Sequence, residues 1–130
     1  MRRTVCTVVG LMLGWAVSAS AQVVNPTAIE FTSPDHAIVT RYEVGYFAGT
    51  ATAPTQSVSI PKSEFTAQPE AYWRHALPRP VLGNYTAKVR TFAPDDSTPV
   101  TTDELASAWS DPSGPFTLSP RALAGLRVVP

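Results

Sequence analysis

Ile38-Val39-Thr40-Arg41-Tyr42-Glu43-Val44-Gly45-Tyr46-Phe47 settles the fold class. Ile38, Thr40, Tyr42, Val44 and Tyr46 recur at every second residue, with Arg41, Glu43 and Gly45 between the later ones. Side chains of a strand alternate between two faces, so this period predicts a half-buried β-strand.

The same pattern extends in both directions. Ala28 to Thr32 alternates weakly, and Ser33-Pro34-Asp35-His36 follows as a turn signal. After the central strand, Gly49 to Thr55 is a loop of small residues. Val58 and Ile60 mark a strand over 57–60 that Pro61 stops, and Tyr72 to Leu77 is another short candidate. Tyr85, Ala87, Val89 and Thr91 alternate against Thr86, Lys88 and Arg90, and Phe92 closes that strand. Pro94 to Pro99 opens a polar loop. Residues 101–107 are expected to form a helical turn capped by Thr102. Trp109 to Leu118 is expected as a last strand, with Pro112 and Pro115 confining it to an edge or a bulge.

Thirteen prolines lie between Pro26 and Pro130 and break up any long helix. About seven short strands with turn signals between them predict an all-β, two-sheet antiparallel sandwich. Its expected core is Ile29, Phe31, Tyr42, Val44, Tyr46, Val58, Ile60, Leu77, Tyr85, Ala87, Val89, Phe116 and Leu118.

Several stretches resemble the fibronectin type III family, a group of immunoglobulin-like sandwiches. Thr40 to Tyr46 resembles its third strand, patterned Tyr-x-Val-x-Tyr. Leu77-Pro78 through Gly83-Asn84-Tyr85-Thr86-Ala87-Lys88-Val89 is similar to its E–F corner and F strand. The resemblance implies a tyrosine corner there, with the Tyr85 hydroxyl bonded back to nearby backbone. Ser107-Ala108-Trp109-Ser110 followed by Phe116-Thr117-Leu118 is similar to the G strand. The match spans roughly 26–118. Phe31 stands where the family's B strand carries a core Trp, and the turn between Leu77 and Tyr85 is longer than usual. With a signal cleaved before Gln22, only Gln22 to Pro26 are available for a strand ahead of Ala28, so the A strand is expected to be short or absent.

Residues 1–21 read as a targeting segment. Arg2 and Arg3 precede the apolar stretch Thr4 to Val17, and Ala19-Ser20-Ala21 offers a small-x-small cleavage site before Gln22. The stretch is shorter than the ~20 apolar residues of a spanning helix. A secreted or periplasmic product is expected, with no membrane span once the signal is cleaved. The only cysteine is Cys6, far from the cleavage point, so no lipid anchor is expected. The mature chain would then hold no cysteine, which excludes thiol catalysis and Cys-based zinc sites. Its 130-residue precursor is too short for a barrel enzyme or a two-domain dinucleotide enzyme. Equal numbers of basic and acidic residues, 10 of each, argue against a nucleic-acid partner.

No residue pattern carries a catalytic or cofactor motif. His36 follows Asp35 in a turn, but no nucleophile elbow accompanies them. His75 reads as a partly buried strand residue. Asp95, Asp96, Asp103 and Glu104 match no calcium-loop spacing. The candidates for partner binding are Tyr72, Trp73 and Trp109, whose rings could stack on sugars or anchor a protein. A structural alternative exists for each. The loop from Lys62 to Glu70 can cover the ring at 72 or 73, and Arg90 can stack on Trp109, as in the Trp-Ser box of some receptor modules.

Residues 119–130 form a proline-containing linker followed by Leu126-Arg127-Val128-Val129. In multi-domain relatives of the resembled family, such a segment opens the next domain. Here it is either a frayed terminus or a strand seeking an edge, its own or a neighbour's, with Leu126 and Val128 as its contacts. The expectation is a non-catalytic, cofactor-free module that binds a protein or surface polymer. A carbohydrate-binding module and a strand-donating assembly subunit are the alternatives.

Overall fold

The computed structural model describes residues 22–130. The expected signal segment, with Arg2, Arg3 and Cys6, lies outside the described residues. Nine strands and no α-helix are present among the described residues. They are β1 (Val23–Val24), β2 (Ala28–Thr32), β3 (Arg41–Phe47), β4 (Gln56–Pro61), β5 (Thr66–Ala67), β6 (Tyr72–Ala76), β7 (Gly83–Pro94), β8 (Glu104–Ala106) and β9 (Phe116–Leu118).

The strands form two sheets. One runs β1-β9-β7-β3-β4, with β8 also paired to β7; the other runs β2-β6-β5. The inner faces enclose one core. From β3 come Tyr42, Val44 and Tyr46, and from β7 come Tyr85 and Ala87. Ile60, Leu77, Phe116 and Leu118 complete the expected set, with Ile29, Phe31, Val58 and Val89 packed against it. Each fully buried large side chain contributes on the order of 1.5–3 kcal/mol. Val39 and Phe65 also join this core. Phe31, Tyr42 and Phe65 form an aromatic cluster with ring centroids 4.9–5.3 Å apart.

The turn between β6 and β7 closes one end. The Tyr85 hydroxyl donates to the Leu82 carbonyl at 2.9 Å. Gly83 makes room for it: φ is +138°, and a Cβ there would lie 3.0 Å from the hydroxyl. Asn25, Arg79 and Ser119 tie the chain ends to the same corner. Arg79 donates to the Asn25 side-chain oxygen at 2.8 Å and to the Ser119 carbonyl at 2.7 Å.

Five expectations are corrected. The central strand starts at Arg41, because the Ser33–Val39 turn continues through Ile38: the Ile38 and Val39 amides both bond Asp35. Ile38 is therefore exposed and Val39 buried. Residues 101–107 form no helix. β7 runs on to Pro94 and offers its edge, so Glu104–Ala106 pairs with it as a hairpin arm, closed by Asp95 N–H to the Asp103 carbonyl. The last strand is only Phe116–Leu118. The strands number nine rather than about seven, since short ladders form at Val23–Val24 and Thr66–Ala67. The sandwich is not wholly antiparallel, because β1 lies parallel to β9.

Candidate functional site

One side of the sandwich is open, and the two sheets contribute differently to it. In the small sheet, β2 pairs with β6 alone. The Leu77 amide bonds the Thr27 carbonyl in the register that sets Ile29 opposite His75 and Phe31 opposite Trp73. Antiparallel hydrogen bonds alternate. Thr27, Ile29 and Phe31 therefore spend their backbone groups on β6, while Ala28, Glu30 and Thr32 aim theirs at the free edge. No strand among the described residues takes them up. The chain segment that would cover this edge crosses instead to β9, as β1.

In the large sheet, the edge of β7 facing that side is closed without a strand. Ser107, Ser110 and Ser113 donate their amides to the carbonyls of Thr91, Val89 and Ala87 at 2.8–2.9 Å. Each serine hydroxyl in turn accepts the amide of the same β7 residue at 2.9–3.0 Å. The segment thus advances three residues for every two of β7. A three-residue repeat belongs to a polyproline-type coil rather than a pleated strand, and Pro112 fits it. This is why the expected strand over 109–115 does not form.

Between the β2 edge and this serine segment runs a groove of three hollows. The first, about 260 Å³, is lined by Phe31, Asp35, Tyr42, Val89 and Ser107 among others. The middle one, about 350 Å³, lies between Ile29–Thr32 and Ser110–Ser113. The third, about 230 Å³, is walled by Val23, Ile29, Leu77, Ala87 and Phe116. The floor is therefore apolar core surface. The charged residues lining the three hollows are Asp35, Glu30 and Asp111, all acidic.

The sequence candidates are dispersed. Trp73 turns inward, packs against the core and stacks on His36 with centroids 3.6 Å apart. Tyr72 is 39% exposed on the opposite face of β6. Trp109 lies on the outer face of the other sheet, over Gly45, where a Cβ would come within 3.0 Å of its ring. The Arg90 guanidinium stacks 4.4 Å from Trp109, and Phe47 meets Trp109 edge-on at 5.2 Å. Arg41 and Arg90 also sit over Phe92. Glu43 holds Arg90 at 2.6 Å. Burial works against the Glu43 carboxylate, but hydrogen bonds from Arg90 and Ser57 and the nearby arginine charges outweigh it, so its pKa lies below the usual value. These three rings share no common face. Leu126 and Val128 are 85% and 95% exposed, and residues 119–130 form no strand and pair with none.

The titratable candidates have structural partners. His36 Nδ1 lies 2.6 Å from the Tyr42 hydroxyl, which donates to Ser33 Oγ at 2.8 Å. Desolvation, with the Lys62 charge adding to it, holds the His36 imidazole below its ordinary range. His75 Nδ1 lies 2.6 Å from the Ala76 carbonyl. Asp95 accepts from Ser97, Asp103 accepts from Thr98, and Glu104 pairs with Arg41 at 2.9 Å. The groove itself was hidden in the sequence because Ile29, Phe31 and Val89 read as ordinary core. Its one signal was the expectation of a short or absent strand before Ala28. No family model, curated protein or solved structure matches this chain.

Proposed function

We propose that this chain is an exported, non-catalytic module of fibronectin type III type that binds another protein by accepting an extended segment on the β2 edge. The observation that carries the reading is the free edge of Ala28, Glu30 and Thr32 standing over an apolar groove. An added strand gains main-chain hydrogen bonds from such an edge and selectivity from alternate side chains entering the hollows. The strand order supports the family reading. β9-β7-β3-β4 against β2-β6-β5 corresponds to G-F-C-C′ against B-E-D in the immunoglobulin-like scheme, with the A position beside B unfilled. The Tyr85 corner and the Arg90–Trp109 stack lend it further support.

Selection from a displayed library of random dodecapeptides tests the reading. The expected winners alternate apolar residues at period two and lose binding to Glu30→Pro. That substitution removes an outward-facing amide and the exposed Glu30–Arg74 ion pair, and leaves the backbone hydrogen bonds of the β2–β6 ladder in place. Recovery of no peptides, or of peptides indifferent to Glu30→Pro, overturns the reading. For export, expression of the full precursor is expected to yield a product beginning at Gln22 outside the cytosol.

A further inference from the structure

We infer that the segment occupying this groove is the C-terminal tail of a second copy of the chain, residues 124–129. The inference rests on the strand-accepting reading above and names the partner. Three observations converge on it. Leu123, Leu126, Val128 and Val129 are each more than 80% exposed. That is apolar surface with nothing over it among the described residues, and its burial is favourable. Next, the alternation of the tail fits the groove. With Leu126 and Val128 turned inward over Ile29 and Phe31, Arg127 falls on the outer face, where Glu30 lies. Finally, the charges are complementary. The acidic groove residues are Asp35, Asp111 and Glu30, the last already paired with Arg74 at 3.0 Å, whereas the chain after Asp111 carries only Arg121 and Arg127 as charged side chains.

The tail leaves from Ser119, which Asn25 and Arg79 pin at the corner. The seven residues 119–125 then reach about 23–25 Å when extended. This span is long enough to bring residues 126–129 alongside the groove of a second copy docked at the same corner. Exchange of tails between two copies gives a closed, two-fold pair in which each groove is filled.

The test uses the mature full-length chain, residues 22–130, in light scattering behind a sizing column over a concentration series. The expected mass rises from one copy to two. Val128→Asp and Arg127→Glu, which lie outside the folded body, should each raise the concentration needed for pairing at least tenfold. Glu30→Pro should act likewise, and circular dichroism checks that it stays folded. Neither Glu30→Pro nor Val128→Asp should pair alone, but mixed together they should form a one-to-one pair, because one supplies the tail and the other the groove. A chain that stays monomeric, or pairing that the tail variants leave unchanged, overturns the inference. So does a β2 edge protected from amide exchange in a monomer, which means that the tail folds back on its own groove. In the first two cases peptide selection still succeeds if the strand-accepting reading is right, and in the third it succeeds once Val128→Asp frees the groove. Failure of the selection together with an unpaired chain removes both.

Discussion

Gly45 shows how closely the outer face of β3 is filled. It lies under Trp109 and Phe47, and a methyl group there would sit 2.8 Å from the Phe47 ring and 3.0 Å from Trp109. Gly45→Ala should therefore lose about 1–3 kcal/mol of stability by overpacking, read as a lower denaturant midpoint with an unchanged slope. His36 gives a second prediction. Its imidazole is held neutral by desolvation and by Lys62, while Tyr42 and Trp73 are its other close neighbours. A folded-state pKa below the ordinary 6.5 means that the unfolded chain binds the proton first as pH falls. Stability should thus be full above that value and decline below it, before the carboxylates begin to titrate. His36→Asn should flatten this part of the melting-temperature profile. An unchanged slope would remove His36 as its source.

At the scale of elements, the serine segment behaves as a strand substitute. Ser110→Ala removes the acceptor of the Val89 amide and should cost about 0.5–1.5 kcal/mol, with faster exchange of that amide. Retained protection at Val89 would show that the hydroxyl does not close the β7 edge. This segment also marks the limit of what could be read in advance. β3 and β7 were legible because each buries one face against a core and so keeps a two-residue period. Ser107, Ser110 and Ser113 repeat every third residue, are polar and need β7 beside them, so a search for apolar alternation passes over them. β8 was misjudged for a related reason: Thr102 and the residues after it suit a cap locally, but pairing with the extended β7 outweighs so short a helix. The Tyr85–Leu82 hydrogen bond was anticipated only through the family resemblance of Leu77 to Val89, and the Arg90–Trp109 stack from the outward position of Arg90. Of the expected binding rings, Trp73 went inward because β6 must cover the core with one face, and 73 lies on that face.

For the whole molecule, the consequential feature is an incomplete sheet. The small sheet ends at β2, the N-terminal segment is diverted to β9, and apolar surface from both sheets remains reachable between them. An unprotected edge of this kind is a template for pairing, and proteins that keep one ordinarily blunt it or use it. The groove was not visible in the sequence, because it forms only when two sheets separated along the chain face each other and Val23–Val24 pairs with β9 instead of β2. The most direct measurement is amide hydrogen exchange along β2 in the monomeric Val128→Asp chain. The account predicts alternation, with Ile29 and Phe31 protected by β6 and Ala28, Glu30 and Thr32 exchanging freely. Protection at all five residues would mean that the edge is already covered, and would contradict the proposal that it receives a strand.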